Sequence, residues 1–393
     1  MSPVNCTTYP PLQANQDISG IGVLTNFLAT AYLTLICCIA KYVLDRKRAT
    51  STRKHRLKRW SLALETTIIS FSDQQVITGI SIIIGGLSQL EWGLAVYHFQ
   101  AVGNLAWFST MTHILTLTVM RDKMRSNKTI RVLRIVLMGC LAVLLIFVMA
   151  PMGYLTSTAG QGGFIPDDVA NGTYIGPIPL EFPAWCLYHP SVAWKSEKGG
   201  LIDHTGSAGY NLAYSLITLG VVVYSYTSRV LLLFPGLVSR SMLRIPTGQP
   251  WALMESKMEA LQTVQTTTRK RFLGKAAWLG HRLLFSFYIF LVSGAELYTS
   301  KIWELTWLSM ALFWGTIRIF VSRFDYYQQF IPTYDVSGQF RPDVISQAIS
   351  QENIWGFGQV VALGLLVLPF ISFFGTFLFP FHISTPFHTW SCF

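Results

Sequence analysis

Three glutamates stand near the ends of long apolar runs, where a carboxyl group has few ways to stay charged. Glu91 closes one run, Glu296 lies near the close of another, and Glu304 opens the next. Asp73 lies at the far end of the run that Glu91 closes. The backbone dipole favours a negative charge at the start of a helix and disfavours one at its end. That accounts for Glu304 and leaves Glu91 and Glu296 without a structural reason. Enclosure in apolar surroundings favours the neutral carboxylic acid, which can donate a proton. Glu91 and Glu296 are therefore the candidate general acids, with Asp73, His98 and His113 as further proton-handling groups.

The run at 97–120 is the most polar. At 100° per residue, His98, Ser109, Thr112, His113 and Thr116 share one face, and Gln100, Asn104, Trp107 and Met111 fall nearly opposite. A helix polar on two faces is expected to be surrounded by protein, bonding to its neighbours, or to line a chamber. On the second reading Gln100, Asn104 and Trp107 contact a substrate, together with Tyr210, Tyr214, Tyr298 and Glu304 from other runs. Arg318 is expected to snorkel or to pair with Asp73.

Other chemistries lack their residues. No helix carries an Asp-Asp-x-x-Asp pattern able to hold magnesium against a diphosphate. Asp167-Asp168-x-x-Asn171 comes near it, but overlaps a glycosylation sequon in a Gly/Pro-rich loop. There is no CxxC pair, GxGxxG or Walker lysine. No metal and no cofactor are expected.

These residues are positioned by eight apolar stretches, at about 21–43, 74–92, 97–120, 132–152, 207–234, 282–298, 303–321 and 356–380. Each approaches the roughly 20 residues that a helix needs to cross a bilayer, and in lipid only a helix satisfies its own backbone within one segment. The expected fold is all-α: one polytopic transmembrane bundle of about eight spans, in a chain with 51% hydrophobic and 12% charged residues. The net charge of +11 resides in the linkers, with no nucleic-acid motif around it, so the expected partner is the lipid bilayer rather than nucleic acid.

Arg46 to Arg59, Arg121 to Arg131 and Arg240 to Lys275 make alternate linkers basic, which places them in the cytosol and both termini on the lumenal or exterior side. The sequons at Asn5 and Asn171 fall on that side and are expected glycosylation sites; Asn127 falls on the other. An endoplasmic reticulum or other endomembrane location follows. Cys37, Cys38 and Cys140 lie in the spans as core residues. Cys6, Cys186 and Cys392 are lumenal, where a disulfide persists. Two loops, 153–206 and 235–281, are long enough to be ordered, the second containing an amphipathic helix from Trp251 to Arg271. Residues 60–72 read as an interfacial lead-in, Ser72-Asp73 as an N-cap for the second span, and Pro369 as a kink in the last.

Ser72-Asp73-Gln74-Gln75-Val76-Ile77-Thr78-Gly79, Tyr97-His98-Phe99-Gln100, Leu105-Ala106-Trp107-Phe108-Ser109 with Thr112-His113, and Trp355-Gly356-Phe357-Gly358-Gln359 together carry a resemblance. Over nearly its whole length the chain resembles a family of fungal integral membrane proteins. That family includes membrane-bound terpene cyclases of meroterpenoid pathways, of the ascofuranone, ascochlorin and macrophorin type. The resemblance implies an isomerase acting on a hydrophobic prenylated small molecule. An acid protonates a terminal epoxide or alkene, and a carbocation cascade closes rings without a metal. Such a cascade needs a dry chamber and aromatic faces, with Trp92, Trp303 and Trp307 joining Trp107 and the tyrosines as candidates. The family brings no catalytic residues to carry over.

Two other readings remain open on the residues alone. A transporter would use the same glutamates and histidines as a proton relay, although no internal repeat is visible. A membrane sensor would present its basic linkers to a partner, but an even number of spans does not fit the usual seven-span receptor. Substrate identity and oligomeric state do not follow from the sequence.

Overall fold

The computed structural model describes residues 12–50, 54–126, 128–151, 182–188, 207–234, 255–263, 278–290, 300–323 and 350–378, with single residues at 293 and 347. Among these residues the structure is helical, and one isolated bridge pairs Ala95 with Pro183. In chain order the helices are α1 (Gln16–Ser19), α2 (Ile21–Thr50), α3 (Lys54–Gln89), α4 (Val96–Val119), α5 (Arg121–Ser126), α6 (Lys128–Met149), α7 (Ser207–Leu233), α8 (Lys301–Arg323), α9 (Phe357–Leu365) and α10 (Val367–Leu378). Short 3-10 turns lie at Leu90–Trp92 and Ala184–Tyr188. Residues 255–263 and 278–290 are also helical.

Among the described residues, four helices are long and apolar enough to cross a membrane: Gln16–Arg48, His55–Trp92, Arg131–Met149 and Phe357–Leu378. This is fewer than the eight expected. Outward side chains such as Ile36, Ile77, Val143, Phe313 and Ile371 are exposed, as a lipid-facing belt requires. α4 is different: every residue from Val102 to Thr118 is buried. Its two polar faces are covered by other helices, so it is the central rod of the bundle.

Contacts fix the directions of the rods. Ser19 meets His98 at the starts of α2 and α4, so these two run parallel. α3 runs against both, with Gln89 bonded to Asn15 at one end and Ser61 to Lys41 at the other. α6 follows α3, α7 follows α4, and Arg125 at the far end donates to the Leu232 carbonyl. α8 runs against α4: Glu304 pairs with Arg121 beyond the end of α4, Trp107 donates to the Ala311 carbonyl, and Arg323 reaches the Ser19 carbonyl. α9 and α10 run against α3, ending where Arg59 donates to the Phe377 carbonyl.

This corrects the expected layout after the fifth run. The sequence placed 97–120 and 303–321 parallel, yet α4 and α8 are antiparallel. α7 ends and α8 begins at the same end of the bundle; of the expected run at 282–298, residues 291, 292 and 294–298 lie outside the described residues. The helix at 278–290 lies against 255–263, where Tyr288 bonds Glu255 and Leu261 approaches Gly280. A second consequence is that α1 and the end of α10 lie at opposite ends of the bundle.

α3 also starts earlier than expected. It is one helix of 36 residues, so 60–72 is not a separate lead-in and Ser72-Asp73 is not a cap. The apolar face of 60–72 buries Ala63, Leu64, Ile68 and Phe71, and Trp60 packs on Phe377 of α10. Pro369 acts as expected. Its ring clashes with the carbonyl four residues back, at Leu365, and the helix breaks at Leu366 between α9 and α10.

Candidate proton-relay site

Two polar layers cross the bundle. The first lies at the Ser19 end, where α1, α4, α8 and the turn before α9 converge. Glu352 is fully buried there. Its Oε1 lies 2.6 Å from Ser19 Oγ, and its Oε2 accepts from the Tyr97 hydroxyl at 3.2 Å. Arg323 Nη1 stands 3.5 Å from Oε2 while Nη2 donates to Asn353 Oδ1 at 2.8 Å. Ser19 Oγ is also 2.9 Å from His98 Nδ1, and His98 Nε2 is 2.7 Å from the Gln13 carbonyl oxygen.

A proton count constrains this cluster. A carbonyl oxygen only accepts, so His98 Nε2 carries a proton. The Ser19 hydroxyl has a single proton, yet it faces two groups with lone pairs, His98 Nδ1 and Glu352 Oε1. If the histidine were neutral and the carboxyl ionised, one of these short contacts would bring two lone pairs together. The Asn15 carbonyl at 3.1 Å is a third acceptor for that hydroxyl, and His98 Nδ1 stands 3.5 Å from Glu352 Oε1, so a further proton on His98 or Glu352 would complete the pairing. On Glu352 it would be donated to Ser19 while Ser19 donates to His98; on His98 both bonds would be reversed. The two arrangements interconvert by a shift through the Ser19 hydroxyl. With that proton, Arg323 leaves the cluster with one net positive charge.

The walls of this layer are tight. Gln359 accepts from the Gly22 N–H at 2.8 Å and donates to the Ile354 carbonyl at 2.9 Å. A Cβ on Gly22 would sit 2.6 Å from Gln359 Cβ and 3.0 Å from its backbone oxygen. Thus Trp355-Gly356-Phe357-Gly358-Gln359 is where α9 seats against α1 and α2. The 3-10 turn carrying Cys186, which is disulfide-bonded, closes the same end through backbone bonds from Val96 to the Phe182 carbonyl and from Ala184 to the Leu94 carbonyl.

The second layer crosses the middle of α3. Its four consecutive polar residues each reach a different place. Ser72 Oγ lies 2.7 Å from His113 Nδ1 on α4; Asp73 pairs with Arg134 on α6. Gln74 donates to Asn26 on α2 at 3.3 Å, and Gln75 bridges the Phe27 carbonyl of α2 and Ser109 of α4 at 3.0 and 2.9 Å. Side chains 100° apart on one helix point to successive neighbours, and α3 uses the full turn. This is the role of the Ser72-Asp73-Gln74-Gln75 stretch.

The expected site residues separate into three groups. His98 belongs to the relay, and His113 and Asp73 to the second layer. Asp73 takes Arg134 rather than Arg318 as its partner. Glu91 is exposed in the turn that ends α3, so the enclosure that would keep it neutral is absent. Glu304 lies in the first turn of α8 and is fully buried between Arg229 and Arg121, the latter at 3.5 Å; it locks three helices together. Asn104 is buried, Gln100 half-buried, and Trp107 is buried against α8, whereas Trp92, Trp303 and Trp307 are exposed. Tyr210 and Tyr214 are on α7, and their side chains lie outside the described residues, as do Glu296, Tyr298, Asn5 and Asn171. Among the described residues, no three His, Cys, Asp or Glu side chains come together as metal ligands.

Sequence reasoning missed Glu352, Ser19, Arg323 and Arg134. Glu352 stands in a polar linker just before the Trp355 motif, and Ser19 just before the first apolar run. Neither position marks itself by hydropathy.

No protein-family profile and no solved structure matches the chain. One curated relative, "Elsinochromes biosynthesis cluster protein HP3" of Elsinoe fawcettii, is 35% identical over 109 residues. The match covers 25% of this chain and 43% of the relative, so the chain spans less than half the length of the protein it resembles.

Proposed function

We propose that the chain is a membrane-embedded enzyme of fungal secondary metabolism. It is an isomerase that closes rings on the prenyl chain of a hydrophobic small molecule by protonating it. The observation that carries this reading is the buried chain of contacts from Glu352 through Ser19 to His98 within a bundle of apolar helices. Apolar enclosure favours the neutral carboxylic acid, so a proton is retained for donation, and it keeps water from quenching a cation. In the first step the Glu352 O–H bond breaks and a new bond forms from that proton to the terminal alkene carbon or epoxide oxygen. Carbon–carbon bonds then form in sequence until a neighbouring C–H gives its proton back to the relay. Atoms in and out are equal, so the product is an isomer. Two similarities support the pathway class: the relative's name places that protein in a fungal biosynthesis cluster, and the four quoted stretches resemble proteins that include meroterpenoid cyclases.

The test uses microsomes from an expressing host, supplied with a prenylated phenol and its terminal epoxide. The expected result is a product of unchanged mass and new retention time. Glu352→Gln should remove it at equal expression. Glu296, the sequence-derived candidate, is assayed beside it as Glu296→Gln. Full activity in Glu352→Gln assigns the acid elsewhere; no conversion across a substrate panel overturns the enzyme reading.

Proton-coupled transport is the second reading, favoured by polar groups at several depths of α4: His98, Ser109 and His113. Proton uptake into vesicles driven by a solute gradient, without any isomer formed, would select it.

A further inference from the structure

We infer that the junction of α3, α4 and α6 binds a neutral acceptor oxygen, such as a ketone or aldehyde carbonyl, on an otherwise apolar ligand. Two buried donors meet no acceptor there. His113 and Arg134 are more than nine-tenths buried, and among the described residues His113 Nε2 and Arg134 Nη1 have no hydrogen-bond partner. A buried polar group left unpaired costs on the order of a whole hydrogen bond, and more when it is charged.

The two groups stand at one depth. Gly79, Ser109 and Leu141 mark a common level, since a Cβ on Gly79 would meet Ser109 Oγ and Leu141 Cδ1. One to two turns toward the Arg121 end, α3 presents Ser72 and Asp73, α4 presents His113 and α6 presents Arg134. Ser72 bonds His113 and Asp73 bonds Arg134.

The tautomer sets the ligand's polarity. Many hydroxyls in these helices donate back to their own backbone, as Thr67, Thr78, Thr112 and Thr116 do. Ser72 makes no such bond, and its contact is His113 Nδ1. Its proton therefore goes to Nδ1, which leaves Nε2 as the protonated nitrogen. Both unpaired atoms, Nε2 and Nη1, are then donors, and the ligand atom is an acceptor. Asp73 already balances the charge of Arg134, so a buried anion would add an uncompensated charge. A neutral oxygen fits. His113 is fifteen residues from His98 on α4, about 22 Å of helix, so the site is distinct from the relay and stands whether or not the chain is an enzyme.

The probe is geranylacetone carrying a 13C carbonyl, added to the purified full chain in detergent and followed by infrared difference spectroscopy. The expected result is a bound carbonyl stretch below that of the ketone in empty micelles. His113→Phe and Arg134→Lys should each move the stretch back and weaken binding about tenfold. Arg134→Lys keeps a cation beside Asp73, so the fold is retained. A second arm needs no variant: the analogue with C=CH2 in place of C=O should bind the wild-type chain about tenfold less tightly. An unshifted carbonyl, equal binding of ketone and alkene, or variants that leave the shift unchanged each overturn the site.

Discussion

Ser19 is the smallest member of the relay and the most exposed to test. Its hydroxyl lies between Glu352 and His98, 2.6 and 2.9 Å away, closer to each than the direct 3.5 Å contact between them. Replacing it by alanine leaves both groups in place but removes the bridge. The rate of isomer formation should fall about 10²-fold, the usual contribution of a positioned proton donor, with unchanged expression. Unaltered turnover in Ser19→Ala would mean that the shared proton has no part in the reaction. Glu304 makes the opposite case, a buried charge with a purely architectural duty. Glu304→Gln strips Arg121 and Arg229 of their carboxylate, which should cost roughly 3–5 kcal/mol and lower the melting temperature in detergent. A melting temperature equal to wild type would show that the arginines find other acceptors.

Helix contacts explain why particular elements are as they are. α2 crosses α9 at Gly22, where no side chain fits against the Gln359 backbone. Gly22→Val should force the helices apart, break the Gly22–Gln359 bond and cost about 1–3 kcal/mol, read as a lower midpoint in thermal unfolding; Gly85→Ala, with open space around it, should not. Helices at the first five runs and the break before Pro369 were legible in the sequence, although α3 begins twenty residues before its expected run. Each depends on local period, composition or a single ring. The partner of Asp73 was not, because Arg134 and Arg318 are equally plausible until α6 is known to lie beside α3. Nor was Glu352, whose burial arises from four elements closing around a polar turn.

At the scale of the whole molecule, the rods sort the charges. Lys41, Arg59, Lys123, Arg125, Arg131 and Lys301 gather at the end where α4 finishes. The disulfide-bonded Cys186 is at the other end. If basic residues mark the cytosolic side and disulfides the oxidising side, the end carrying α1 is lumenal and the end of α10 cytosolic, which a protease test reads. An epitope placed ahead of Asn15 should be shielded from protease in sealed microsomes, while one inserted after Leu378 should be cut. Equal shielding of both would restore the even-span layout. Opposite-sided ends also remove the objection that the expected even count raised against a sensor.

The four polar residues in the middle of α3 have a consequence for the newborn chain. α3 emerges from the ribosome after Asn26 and Phe27 but before His113 and Arg134 exist. For a time it therefore offers the bilayer an unanswered serine and an unanswered carboxylate. Both groups gain partners once α4 and α6 are made, so residues up to Met149 are expected to assemble as one unit.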